Sequence, residues 1–220
     1  MTRAAEILLS TFPDVNFDEA LDEEGNGALH LAVKAQDRSM VAVLVHKGFD
    51  PAVTDNEGQT PLDVAIQNND RSMARVVIRA QLRADTWDDD MVETSMKLAA
   101  RLNRLQILKL LLSTWEDNGS ALMEAIEFSN MDVVRLLREG NSHQNVQSWY
   151  DAVENGVVLA ARIGRGEALQ DLISVASSQW SGPESGTLNR ALRSARDADH
   201  TWCCNILRNQ MYPGRLICGG

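Results

Sequence analysis

The chain is poor in the residues that mark several familiar protein classes. Five prolines and 14 glycines in 220 residues leave no collagen-like or low-complexity tract. No apolar run approaches the roughly 20 residues of a membrane-spanning helix, so no membrane association is expected. The opening "MTRAAEILLSTF" has one arginine and a short apolar stretch interrupted by Glu6. It lacks a proper apolar core and a small-residue cleavage site, so no secretory signal is expected. The three cysteines, Cys203, Cys204 and Cys218, are an odd number gathered at one end. That excludes a disulfide framework and fits a reducing, cytoplasmic or nuclear setting.

Basic residues are also in deficit. The net charge is −10, which weighs against a general nucleic-acid binder. Acidic residues cluster at Asp14, Asp18, Glu19, Asp22, Glu23 and Glu24, and again at Asp88, Asp89, Asp90 and Glu93. Residues 190–220 lean basic through Arg190, Arg193, Arg196, Arg208 and Arg215. Such clusters are either solvated surface or an acidic end that steers a basic partner.

Motifs for chemistry are missing too. There is no Walker loop, and no Gly-x-Gly-x-x-Gly follows a strand. Gly164 and Gly166 in "RIGRGEAL" fall between two expected helices. His30, His46, His143 and His200 form no spaced set. Cys203 and Cys204 read as buried, inert thiols. The acidic knot at 88–93 lacks EF-hand spacing. The terminal "RLICGG" is like a ubiquitin-like tail, but nothing else in the chain fits that fold, and Cys218 stands third from the end rather than fourth. No cofactor, metal or catalytic residue is expected.

What the chain does have is a repeat. "KAQDRSMVAVLV" from Lys34 is followed 33 residues later by "QNNDRSMARVVI" from Gln67. In that register Gly25 meets Gly58, Leu29 meets Leu62, Ala32 meets Ala65 and Val43 meets Val76. Each unit reads as a turn followed by two short helices. Pro61 suits a first helical turn. Asp37 and Asp70 suit the cap of the second helix, which carries Met40, Val43 and Leu44 at helical spacing.

These stretches, "GQTPLDVAIQNNDRSMARVVI" and "GALHLAVKAQDRSMVAVLVHKGFDP", resemble ankyrin repeats. The resemblance implies an all-α solenoid of helix–turn–helix units with protruding finger loops, in one domain. The reading is an N-terminal half repeat and long finger at 1–21, then repeats at 22–54, 55–86, 87–114, 115–145 and 146–181. A C-terminal capping repeat and tail take 182–220. Small residues at Ala32, Ala65, Ala99, Ala125, Ala160 and Ala191 let first helices approach closely, while Leu44, Val77, Leu111 and Leu136 fill the space behind. Stacked units share one core that no unit could bury alone.

Departures are visible. The family's Thr-Pro-Leu-His turn is incomplete: Gly27 precedes His30, and Thr60 precedes Asp63. Ala99 and Ala125 are 26 residues apart, so one finger must be short. The last unit carries extra residues between its helices. Irregular fingers are expected in the second half.

The resemblance also implies function: a non-catalytic protein-interaction module, acting as a regulatory or scaffold subunit and monomeric on its own. Its concave face is built from finger tips and from the two residues after each small pair. By position these include Arg101 with Leu102, Glu127 with Phe128, and Arg162 with Ile163. Leu102, Phe128 and Ile163 would form an apolar stripe between charges. Trp87, Trp115, Trp149, Tyr150 and Trp180 fall on finger positions, where aromatic anchors favour an interface. Packing beneath the neighbouring finger is the alternative for each ring. Trp202 reads as core. Arg71, Arg75 and Arg79 form a stripe on a second helix and read as a solvated convex face. A different reading is an enzyme whose groove, with Trp rings, Arg101, Arg162, Glu127 and Tyr150, encloses a small molecule. It lacks a nucleophile–base pair.

Overall fold

In a computed structural model of the chain, residues 21–86, 88–114, 119–140, 146–180 and 182–213 are described. Among them there are helices and no strands. The chain divides between Leu111 and Leu112 into two compact units.

In unit 1 the helices are α1 (Ala28–Lys34), α2 (Arg38–His46), α3 (Pro61–Gln67), α4 (Arg71–Ala84), α5 (Asp89–Arg101) and α6 (Leu105–Leu112), the last running over the division. First helices α1, α3 and α5 pack in sequence, and α2 packs on α4 behind them. Unit 2 comprises α7 (Gly119–Glu127), α8 (Met131–Gly140), α9 (Val146–Arg162), α10 (Gly166–Gln179), α11 (Ser185–Asp197) and α12 (Thr201–Met211). Here α9 lies between α7 and α11, and α10 lies between α8 and α12.

Within every pair the two helices are joined by three residues: 35–37, 68–70, 102–104, 128–130, 163–165 and 198–200. The middle residue is left-handed each time. It is Gln36, Asn69, Asn103, Ser129, Gly164 or Asp199, with φ from 55° to 76°. The third residue donates its N–H to a carbonyl five residues back. These bonds run from Asp37 to Ala32, Asp70 to Ala65, Arg104 to Ala99, Asn130 to Ala125, Arg165 to Ala160 and His200 to Ala195, at 2.8–3.0 Å. This is the Schellman closure, which satisfies carbonyls the helix end would otherwise orphan. Polar or glycine residues tolerate the left-handed position best.

The alanines at the start of these bonds sit in the core: Ala32, Ala65, Ala99, Ala125 and Ala160 are at most 5% exposed. In the final unit the expectation needs correction. No extra residues separate its helices, and Ala195, not Ala191, takes the closure position. Both alanines are buried one helical turn apart, so both suit close packing. Leu44, Val77 and Leu111 are buried as expected, but at α8 it is Leu137 rather than Leu136 that is fully enclosed. Each such side chain contributes about 1.5–3 kcal/mol through the water it sheds.

The starts of the helices separate the units. Thr60 caps α3 by accepting from the Asp63 N–H, while the Asp63 carboxylate accepts from the Thr60 N–H and hydroxyl. Asp63 thus does the work that histidine does in the sequence motif. It also accepts a 2.7 Å bond from Ser95 on α5, tying two repeats together. In α1 the His30 Nδ1 accepts from the Gly27 N–H. Its Nε2 must then carry the proton and donate to the Gln59 carbonyl at 2.8 Å. With their starts fixed, α1 and α3 are seven residues each. Elsewhere no Thr-Pro intervenes, and the first helix continues backward. It reaches 13 residues in α5, 17 in α9 and 13 in α11.

Candidate functional site

The first two fingers keep their form. Asp22 and Asp55 each open a tight turn, with Gly25 donating to the Asp22 carbonyl and Gly58 to the Asp55 carbonyl. Each aspartate Oδ1 accepts two further N–H groups. Bonds to Asn26, from side chain and then backbone, hold the Asp22 carboxyl below the usual aspartate range. Adjacent fingers are linked by Asn56, which donates its N–H to the Glu24 carbonyl and its side-chain amide to the Glu23 carbonyl. Gly25 is at φ +80°, and a Cβ there would lie 2.7 Å from the Asn56 nitrogen. Asp22, Glu23, Glu24 and Glu57 are exposed at this edge. Lys34 meets Glu24 at 3.3 Å, a solvated pair of little energetic weight.

The residue pairs expected to contact a partner fall at the helix–helix turns. Each is the last residue of a first helix and the one after it. In unit 1, Arg101 is exposed and Leu102 half-buried. In unit 2, Glu127, Phe128 and Arg162 are exposed and Ile163 is half-buried. Only Phe128, at 49% exposure, presents a large open apolar surface, which corrects the idea of three equally exposed side chains. The turns also brace neighbouring repeats. Arg104 donates to the Gln67 carbonyl in unit 1 at 3.1 Å, and Arg165 does the same to Glu127 in unit 2 at 3.2 Å.

The aromatic expectations divide. Trp87 and Trp115 lie outside the described residues. Trp149 and Tyr150 are not on a finger loop but in the first turn of α9, which occupies the finger's place. Trp149 is 4% exposed and therefore core, not an anchor. Tyr150 meets Trp180 edge to face, with ring centroids 5.1 Å apart. Its surroundings push the phenol up to about 12, first through lost solvation and then through Glu154 and Glu184. The hydroxyl therefore stays protonated at neutral pH. Glu154 is itself committed, accepting the Glu184 N–H at the start of α11. Trp202 is the reverse case: expected in the core, it is 55% exposed. Its ring lies over Gly166, where a Cβ would collide with it. Cys203 and Cys204 are buried free thiols, and burial pushes the Cys203 thiol up, as for an inert core residue.

The hollow that unit 2 offers lies across its first helices. A groove of about 430 Å³ is lined by Gly119, Ser120 and Met123 of α7, by Ser148, Asp151, Asn155, Leu159 and Arg162 of α9, and by Arg190 of α11. Of the expected contact residues only Arg162 lines it. It makes no hydrogen bond or ion pair among the described residues, whereas Arg190 donates to the Thr187 hydroxyl. Sequence reasoning missed Ser148, Asp151 and Asn155 because it places Trp149 and Tyr150 on a finger rather than on a helix. The polar positions 148, 151, 155 and 162 recur at helical spacing and were the available signal. No cluster of three metal-ligating side chains occurs among the described residues. No described helix is long and apolar enough to cross a membrane.

Known proteins place this architecture. A family model for "Ankyrin repeats (3 copies)" matches residues 1–90. The ankyrin repeat domain of Bcl-3, a unique member of the IkappaB protein family, superposes with a TM-score of 0.65 at 21% identity, over 94% of this chain and 93% of that domain. The ankyrin repeat protein EF0377 gives 0.57 at 23% identity, over 84% and 98% of the two chains. An ankyrin repeat domain from Acinetobacter baumannii AYE gives 0.56 at 20% identity, over 81% and 95%. No curated protein matches the sequence. Ankyrin repeats are generally protein–protein interaction modules. Residues 1–90 match the ankyrin-repeat family model, and the fold of the chain is that of ankyrin repeat domains.

Proposed function

We propose that the chain is a non-catalytic protein-binding module that receives a partner segment on its layer of first helices. The observation that carries this is the groove crossing α7, α9 and α11, with the Arg162 guanidinium free at its edge. Its mixed lining of methionine, leucine, serine, asparagine and two arginines suits a peptide with both apolar and carboxylate side chains. At the other end of the sequence, exposed Asp22, Glu23, Glu24 and Glu57 suit a basic stretch of a partner. A regulatory or scaffold role follows from such binding without chemistry. The adjacent free thiols Cys203 and Cys204 support a cytoplasmic setting.

Affinity capture from the native source, read by mass spectrometry, tests this. A partner bound by the native chain should be depleted about tenfold or more by Asn155→Arg, which fills the groove with a charged side chain. Phe128→Asp, at the turn edge, should have a smaller effect. Undiminished capture by Asn155→Arg, with the variant folded, means the groove is not the site.

A further inference from the structure

The second helices of unit 1 carry charge of one sign. In α2, α4 and α6 stand Arg38, Arg71, Arg75, Arg79, Arg83 and Lys109, with no aspartate or glutamate. This occurs in a chain of net charge −10. On α4 the four arginines recur every fourth residue, a row about 18 Å long at 1.5 Å per residue. All four are exposed, and among the described residues none is in a hydrogen bond or ion pair. Like charges at this spacing repel and weaken the helix that carries them. Unit 2 differs: Arg135 on α8 faces Asp132, Glu167 and Asp171 at 3.0–3.7 Å.

Beside the row lies a groove of about 670 Å³ between α2 and α4. Val45, Phe49, Val76 and Ala80 give it apolar surface, and Arg79 and Arg83 stand on it as cations. Its one carboxylate, Asp50, is engaged by the Ala52 N–H at 2.8 Å. The buried hydroxyl of Thr86, also in the lining, has no hydrogen-bond partner among the described residues.

We propose that this groove and the arginine row bind an acidic segment of a partner protein. The segment seats an apolar side chain between α2 and α4 and lays carboxylates along Arg75, Arg79 and Arg83. Unpaired guanidinium groups call for anions with planar, two-oxygen geometry. The recessed apolar floor calls for a side chain that a sugar–phosphate backbone does not have. A lipid surface takes apolar groups that protrude, and on α4 only Leu82 does so. The surface lies on the second helices of unit 1 and shares no residue with the groove of unit 2, so the two readings stand or fall separately.

The test uses the full chain and a labelled peptide of about 15 residues, rich in Glu and Asp with two leucines four apart, followed by fluorescence anisotropy. Saturable binding at low salt is expected, weakened at least about tenfold by Arg79→Glu with Arg83→Glu and likewise by Ala42→Phe, which fills the groove from an exposed position. Arg75→Glu creates opposite-charge neighbours for Arg71 and Arg79, so it should weaken binding without lowering the melting temperature. That separates lost binding from lost folding. Absence of saturable binding overturns the proposal, as does binding indifferent to these variants. So does tighter binding of a single-stranded oligonucleotide of similar length or of phosphatidylserine vesicles.

Discussion

Helix α3 in unit 1 and helix α9 in unit 2 begin in opposite ways. At α3, Pro61 disfavours helical backbone for Thr60, and the Thr60–Asp63 pair satisfies the exposed N–H groups. The helix starts there and the preceding residues form a finger. Counting from the closing alanines, Asn155 and Gly156 of α9 stand where Thr60 and Pro61 stand in α3. Neither stops a helix, so α9 runs back to Val146 and carries Trp149 into the core. A short sequence signal decides whether a repeat opens with a finger loop or with a longer first helix. The outer helices differ in parallel: a row of unpaired arginines on α4 in unit 1, where Arg38 on α2 pairs with Asp70, and a cross-linked mixture in unit 2.

The strongest way to break this contrast is to write the α3 signal into α9. Gly156→Pro removes a helix hydrogen bond and clashes with the preceding turn. It should destabilise the protein by about 3 kcal/mol or more, seen in urea melts and a loss of far-UV helical signal. Proline is already at the matching place in α3 at no such cost. Preserved stability in the variant would mean that the missing proline is not what lets α9 extend.

A smaller effect is expected from erasing the signal in unit 1. Asp63→Ala removes the reciprocal cap and leaves the Ser95 hydroxyl without its buried partner. The expected cost is about 2–3 kcal/mol, and Asp63→Asn should recover part of it. Equal stability of the alanine variant in a denaturant titration would show that the start of α3 is held by Pro61 alone. The smallest effect should come from the outer helices. Arg135→Ala dissolves a network of exposed ion pairs and should cost less than about 1 kcal/mol, shrinking further in high salt. A larger, salt-insensitive loss would show that Arg135 acts through packing of its stem.

Much of the fold is legible because ankyrin-like units are built from local rules. The 33-residue register, the aspartate caps at Asp37 and Asp70 and the buried alanines each depend on residues close in sequence. The exceptions have identifiable causes. Ala191 and Ala195 share a helix face, so only the turn geometry distinguishes them. Trp202 is apolar enough for a core, but it sits one residue inside α12 on a face that Gly166 leaves flat and open to solvent. Trp149 reads as a finger residue in the sequence because nothing local shows that α9 begins as early as Val146.

The candidate surfaces were less legible. The turn pairs fall at helix ends, yet burial of Leu102 and Ile163 depends on neighbouring repeats. The α4 arginines can be counted in the sequence. That no acid faces them is known only once α2 and α4 are set side by side. By itself the sequence determined the repeat, its period, its caps and the small residues that let helices touch, because each is a short-range constraint on backbone and packing. Tertiary structure alone decided which side chains remain open and unpaired, because burial and charge pairing are set by residues some thirty positions away in the next repeat.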